Sequence, residues 1–208
     1  MIPGDKNPLN AKLPLWLKVI YTIFVVVLVP VYWVEYGPSN FLWGSDIALL
    51  VTVVALWREN RFFISMMAVG VLLPELVWNI DFIARLIAGG DDVFGLSGTR
   101  YMYNPDIPLY VRSFSLFHVL MPAVLIFALL RLGYDSRGLL AQCILAWVVL
   151  PVSYFFTDPQ RNINMVFGFG KTIQTAMPGE LYLLLLMVLY PALVYIPTHL
   201  ILKKCIKN

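Results

Sequence analysis

The segment PELVWNIDF, residues 74–82, places Glu75, Asn79 and Asp81 inside a long apolar run. Further groups able to do chemistry lie in FLWGSD at 41–46, which holds Ser45 and Asp46, and in SLFHVLMP at 115–122, which holds His118. An imidazole titrates near neutrality, so it can take and return a proton under physiological conditions. A base oriented by a carboxylate and set against a hydroxyl or a water is the general arrangement of an activated nucleophile. On that logic His118 is the candidate base, Asp46 or Glu75 would orient it, and Ser45 or a water would attack an ester. Asn79, Asp81, Asp158, Asn162 and Asn164 are the candidate substrate-binding groups. Plain structural roles compete with each assignment. Asp46 and Glu75 could serve interhelical bonds, His118 could hold a backbone carbonyl, and Asp81 could cap a helix end.

The elements that would position these residues are membrane helices. About 20 mostly apolar residues are needed to cross ~30 Å of hydrocarbon. Six stretches qualify or nearly so, at about 13–34, 41–58, 62–87, 113–132, 138–156 and 180–202, the second and fifth being short. At ~1.5 Å per residue, Asp46 and His118 would each lie roughly 7 Å in from the same membrane face. Asp81 would lie near that face, with Glu75 roughly 9 Å deeper. Ser153, Thr157 and Asp158 belong to the same level, while the other halves of the spans are almost purely apolar. A charge in mid-span costs ~2.5–3.5 kcal/mol on insertion scales, so such groups turn towards a bundle interior or a wet cavity. Glu75 and Asn79 are one turn apart and share a face; Asp81 is about 200° round from Asn79. Pro74 is expected to kink the third span and free a carbonyl for a polar side chain or water.

Composition agrees. The 208 residues are 60% hydrophobic and 13% charged, with a mean hydropathy of +0.79. Soluble domains run nearer ~45–50% and ~25%. The expectation is an all-α, polytopic membrane bundle of about six helices forming one domain over 1–208. A net charge of +3 without clustering gives no sign of nucleic acid as a partner. Membrane lipid is the expected surrounding, with a lipid, a small molecule or another membrane protein as the binding partner. An even number of spans places both termini on one side. Ten Lys and Arg would fall on that side and five on the other, so both termini are expected in the cytoplasm. The two long connections, 88–112 and 157–179, would then be external. Their mixture of glycine, proline and aromatic residues suggests folded lids over the outer helix ends.

Several signals fail. GFGKT at 168–172 lacks the glycine a nucleotide loop needs five positions before its GK pair, where Met165 stands. Cys143 and Cys205 form no ligand spacing. His118 and His199 fall at opposite faces and cannot share a metal, so neither metal nor cofactor is expected.

SLFHVLMP, RLGYD, TDPQRNINMVFGFG and YIPTHL together resemble a family of uncharacterised bacterial integral membrane proteins over about residues 40–202. That resemblance implies the bacterial inner membrane. FLWGSD and FHVLMP are also similar to the second-helix and histidine-helix segments of the androgen-induced membrane hydrolases, six-helix proteins that cleave fatty-acid esters of hydroxy fatty acids. The resemblance implies that His118 takes the place of their histidine. The place of their nucleophilic threonine falls near Trp43, with Ser45 the nearest hydroxyl. Three functions stay open: a lipid-ester hydrolase or related lipid-modifying enzyme, a proton-coupled carrier of a small molecule, and a non-catalytic membrane subunit that binds a partner through its external loops.

Overall fold

The computed structural model describes residues 13–95, 98–170 and 172–206. Lys6, Lys12, Lys171 and Lys207, counted above for orientation, lie outside them. Among the described residues the chain is helical and has no strand. Five helical runs are long and apolar enough to cross a membrane: Leu15–Tyr36, Arg61–Ile87, Leu109–Leu132, Arg137–Phe156 and Gly179–Cys205. A shorter apolar helix covers Gly44–Trp57.

We label the helices α1 (Leu15–Tyr36), α2 (Gly44–Trp57), α3 (Arg61–Ile87), α4 (Leu109–Phe114), α5 (Phe117–Leu132), α6 (Arg137–Phe156), α7 (Gly179–Leu189) and α8 (Ile196–Cys205). Their ends follow local chemistry. Gly37, at φ 73°, stops α1 and returns its N–H to the Trp33 carbonyl. Gly133, at φ 83°, does the same for α5 on Leu129. The Asn60 side chain caps α3 by accepting from the Phe63 N–H at 3.2 Å.

The helix α3 is the hub, packed against α2, α5, α6 and α8. Small residues let α6 approach it. A Cβ on Gly138 would sit 2.8 Å from the Met66 nitrogen, and one on Gly70 would run into the Gln142 side chain. At one end of the bundle the contacts join Lys18 to Glu59, Ser65 to Asp135, and Tyr134 to His199. We call this the short-turn end. The opposite, long-loop end holds the 3-10 turns Pro38–Leu42, Arg100–Tyr103 and Ile163–Met165.

Two spans depart from the regular helices expected of them. Ahead of α5 the bonding tightens to i→i−3, with Ser115 N–H to Arg112, Leu116 N–H to Ser113 and His118 N–H to Ser115. This short 3-10 passage separates α4 from α5 immediately before His118. The last span contains a π-helical turn, Tyr190–Tyr195, between α7 and α8. Prolines account for part of the irregularity, since each removes the N–H that would bond the carbonyl four residues earlier. Pro191 leaves the Met187 carbonyl, which accepts the Trp147 indole N–H at 2.9 Å. Pro122 leaves the His118 carbonyl, which accepts the Asn79 amide at 2.8 Å. Helix α3 runs through Pro74 as one element.

Candidate functional site: a histidine–glutamate pair between α3 and α5

Glu75 and Asn79 stand one turn apart on the face of α3 that meets α5. Glu75 Oε2 lies 2.7 Å from His118 Nδ1, with the Glu75 side chain 3% and the His118 side chain 14% exposed. Asn79 donates one amide hydrogen to the Glu75 carbonyl at 2.7 Å and the other to the His118 carbonyl at 2.8 Å. It therefore fixes the backbone at both members of the pair. The imidazole stacks on Phe117 at 4.0 Å and on Trp78 at 4.6 Å between ring centroids. Held by a hydrogen bond, two rings and a clamped backbone, His118 has little freedom to turn. With Nδ1 committed to Glu75, the other ring nitrogen, Nε2, has no hydrogen bond among the described residues. It is the atom available for proton transfer.

Asp46, in the first turn of α2, is buried. Asn40 donates to its carboxyl at a long 3.5 Å. Tyr32 and Ser115 share a buried hydrogen bond of 2.8 Å. Tyr101 lines a cleft of about 830 Å³ at the long-loop end, together with Arg85, Arg100, Asp91 and Asp92.

The remaining candidates are placed as follows. Ser45 makes no hydrogen bond with His118 among the described residues. Asp81 turns away from the pair, as its angular position on α3 requires. It accepts from the Arg85 Nε at 3.2 Å, the Thr99 N–H at 3.1 Å and the Thr99 hydroxyl at 2.6 Å. Arg85 also reaches Asp92 at 3.1 Å. This buried lock fastens the 88–108 connection to α3. Asp158 is exposed and accepts from the Gln160 N–H. Asn162 binds the Gly168 and Gly170 carbonyls and accepts from the Phe167 N–H, so its amide holds the 157–178 connection in shape. Asn164 donates to the Leu42 carbonyl and the Ser153 hydroxyl, and accepts from the Gly44 N–H. It ties the start of α2 to the end of α6.

Tyr32, Ser115, Tyr101 and Trp78 were not singled out from the sequence. For Trp78 a signal existed: it precedes Asn79 in the same polar segment. For Tyr101 there was none, because its place in the cleft depends on how the 88–108 connection folds back. No protein-family model, curated protein or solved structure matches this chain. The functional reading rests on its own geometry.

Proposed function

We propose that this protein is a multi-pass membrane enzyme that hydrolyses a lipid ester, with His118 as general base and Glu75 as its orienting carboxylate. The observation that carries the reading is the 2.7 Å contact between Glu75 Oε2 and His118 Nδ1; the long-loop end of the same bundle holds a cleft large enough for a lipid headgroup. In the reaction, His118 Nε2 takes a proton from water while the water oxygen bonds the ester carbonyl carbon. The tetrahedral intermediate collapses, the carbon–oxygen bond to the alcohol breaks, and the alkoxide takes the proton back from His118. The Nδ1 proton stays on the ring, and Glu75 accepts its hydrogen bond and stabilises the imidazolium formed between the two steps. Asn79 is a positioning residue. Water serves as nucleophile in preference to Ser45, which has no bond to the base.

In this reading Gly44–Trp57 is a sixth, short crossing. The short-turn end faces the cytoplasm, the long connections are external, and the setting is a bacterial inner membrane. The excess of basic residues near the short-turn end supports that orientation. Purified protein in liposomes, given long-chain fluorogenic esters, tests the activity. Turnover should fall by about 10²-fold or more in His118→Ala; equal turnover in both forms would remove the assignment.

A second reading, a proton-coupled carrier, is favoured by the buried carboxylates Asp46 and Glu75 and by Thr52 and Gln142, whose buried oxygens have no partner among the described residues. It requires vesicle uptake that responds to Asp46→Asn and Glu75→Gln. If neither activity is found, the non-catalytic subunit remains.

A further inference from the structure

At the short-turn end a cleft of about 450 Å³ opens between the α2–α3 turn and the start of α6. Arg58, Arg61 and Arg137 line it, with Glu59 and Asp135 as the acidic residues. The two acids are already engaged. Asp135 is held by Arg137 through Nε at 3.0 Å and Nη2 at 2.7 Å. Its own N–H donates to Ser65 at 2.9 Å. Arg61 stands off at 4.0 Å from the same carboxylate and is 47% exposed. Glu59 accepts from Lys18 at 2.6 Å and from the Leu13 N–H at 3.2 Å. Arg58 is exposed, and its side chain forms no hydrogen bond or ion pair among the described residues. Among the described residues, three arginines against two carboxylates leave +1, and Lys18 on Glu59 brings the count to +2.

The depth of the cleft is informative. It begins one residue beyond Trp57, which is half-exposed at the end of α2 and anchored by its indole N–H on Thr22. Tryptophans of this kind sit at the level of lipid headgroups. Guanidinium groups match phosphate oxygens in geometry as well as charge, and basic pockets between helix ends collect anionic headgroups.

We propose that this cleft binds a phosphate group, with Arg58 and Arg61 as its ligands and the Arg137–Asp135 pair as its fixed wall. The group could be carried by an anionic phospholipid in the adjoining leaflet or be free in solution. The site is separate from the histidine–glutamate pair, and its test does not depend on any enzymatic activity.

The test uses the full chain in phosphatidylcholine nanodiscs. Phosphatidylglycerol is titrated into the discs in one arm and inorganic phosphate into the buffer in the other. Bound lipid is counted by native mass spectrometry, and the thermal midpoint is read in both arms. Saturable binding of either probe, weakening as salt rises, is the expected result, and the responding arm identifies the source. Arg58→Gln with Arg61→Gln should weaken binding roughly thirtyfold. Arg58→Lys with Arg61→Lys should keep most of it. Lys203→Gln with Lys204→Gln makes the same charge change on the same end outside the cleft and should leave it unaltered. No saturable binding of either probe would overturn the proposal. So would equal binding by the glutamine pair at Arg58 and Arg61, or an equal loss in the Lys203 and Lys204 control. The salt series on the unaltered protein stands even if a variant fails to fold.

Discussion

Glu75 and His118, 43 residues apart in the chain, meet at 2.7 Å across the α3–α5 contact. Neither could sit alone in that apolar setting at low cost. Together, with Asn79 bonding the backbone of both, they form a polar unit that the surrounding helices can bury.

The Asn79 contact leads to the first prediction. The His118 carbonyl accepts from Asn79 because Pro122 withholds the helical N–H. Asn79→Leu should destabilise the protein by about 1–3 kcal/mol, the cost of leaving a buried acceptor unpaired. In a Pro122→Ala background the residue at 122 has an N–H for that carbonyl, and the same substitution should cost less than half as much. Denaturant or thermal unfolding in detergent, run as a double-mutant cycle, measures the coupling. Strict additivity would show that the two positions act separately.

Asn164 is held at φ 54°, a left-handed conformation, with its side chain bonded to α2 and α6. Asn164→Gly removes the backbone strain and all the side-chain bonds; Asn164→Asp keeps the acceptor for Gly44 but loses the donors. Both should destabilise, by about 2 kcal/mol. Asn164→Ala should be the worst of the three, because it loses the bonds and keeps the strain. Limited proteolysis of the 157–178 connection should follow the same order.

Close helix packing supplies a third. Gly138 faces backbone atoms of α3, which cannot step aside, whereas the obstacle at Gly70 is the end of the Gln142 side chain. Gly138→Ala should therefore cost about 1–3 kcal/mol, and more than Gly70→Ala. Thermal midpoints of the two variants decide this.

A fourth concerns acid stability. The Arg137 side chain, followed by the Arg137 N–H and the Arg61 charge, holds the Asp135 carboxyl below the usual carboxylate range against the opposing effect of burial. A folded pKa below the unfolded value of ~3.9 gives stability that is present above pH ~4 and lost as pH falls through the folded pKa. Asp135→Asn should lower stability at pH 7 by about 1 kcal/mol, a modest figure because Arg137 is largely in solvent. The deficit should shrink below pH ~4, where the parent carboxyl is itself protonated. Unfolding curves between neutral and acid pH give the comparison.

Much of this arrangement was legible before any coordinates. The helical class and the apolar spans follow from hydropathy, and the sharing of a face by Glu75 and Asn79 follows from helix geometry. The turn away of Asp81 followed from the same geometry. Its partner Arg85 did not, because an arginine at the end of a span reads as a boundary residue, while in the fold it is 2% exposed. The break before His118 was hidden because SFSLFHVL reads as continuous apolar helix. What interrupts it is a set of i→i−3 bonds and the Ser115–Tyr32 contact with a distant helix. Pro191 was visible in the sequence, but nothing local showed that Trp147 would supply the missing donor or that a π turn would result. The asparagines of the 157–178 connection were noticed for their polarity. Their bonds run to backbone groups of that connection, to Leu42 and Gly44 at the start of α2 and to the Ser153 hydroxyl of α6, contacts that only tertiary structure creates.

The most direct measurement is ester turnover in liposomes by the parent protein, His118→Ala, Glu75→Gln and the double variant. If the two side chains act as one unit, the double variant should be no slower than His118→Ala, and Glu75→Gln should account for much of the loss by itself. Turnover that is the same in the parent and in His118→Ala, or losses that multiply independently in the double variant, would contradict the account.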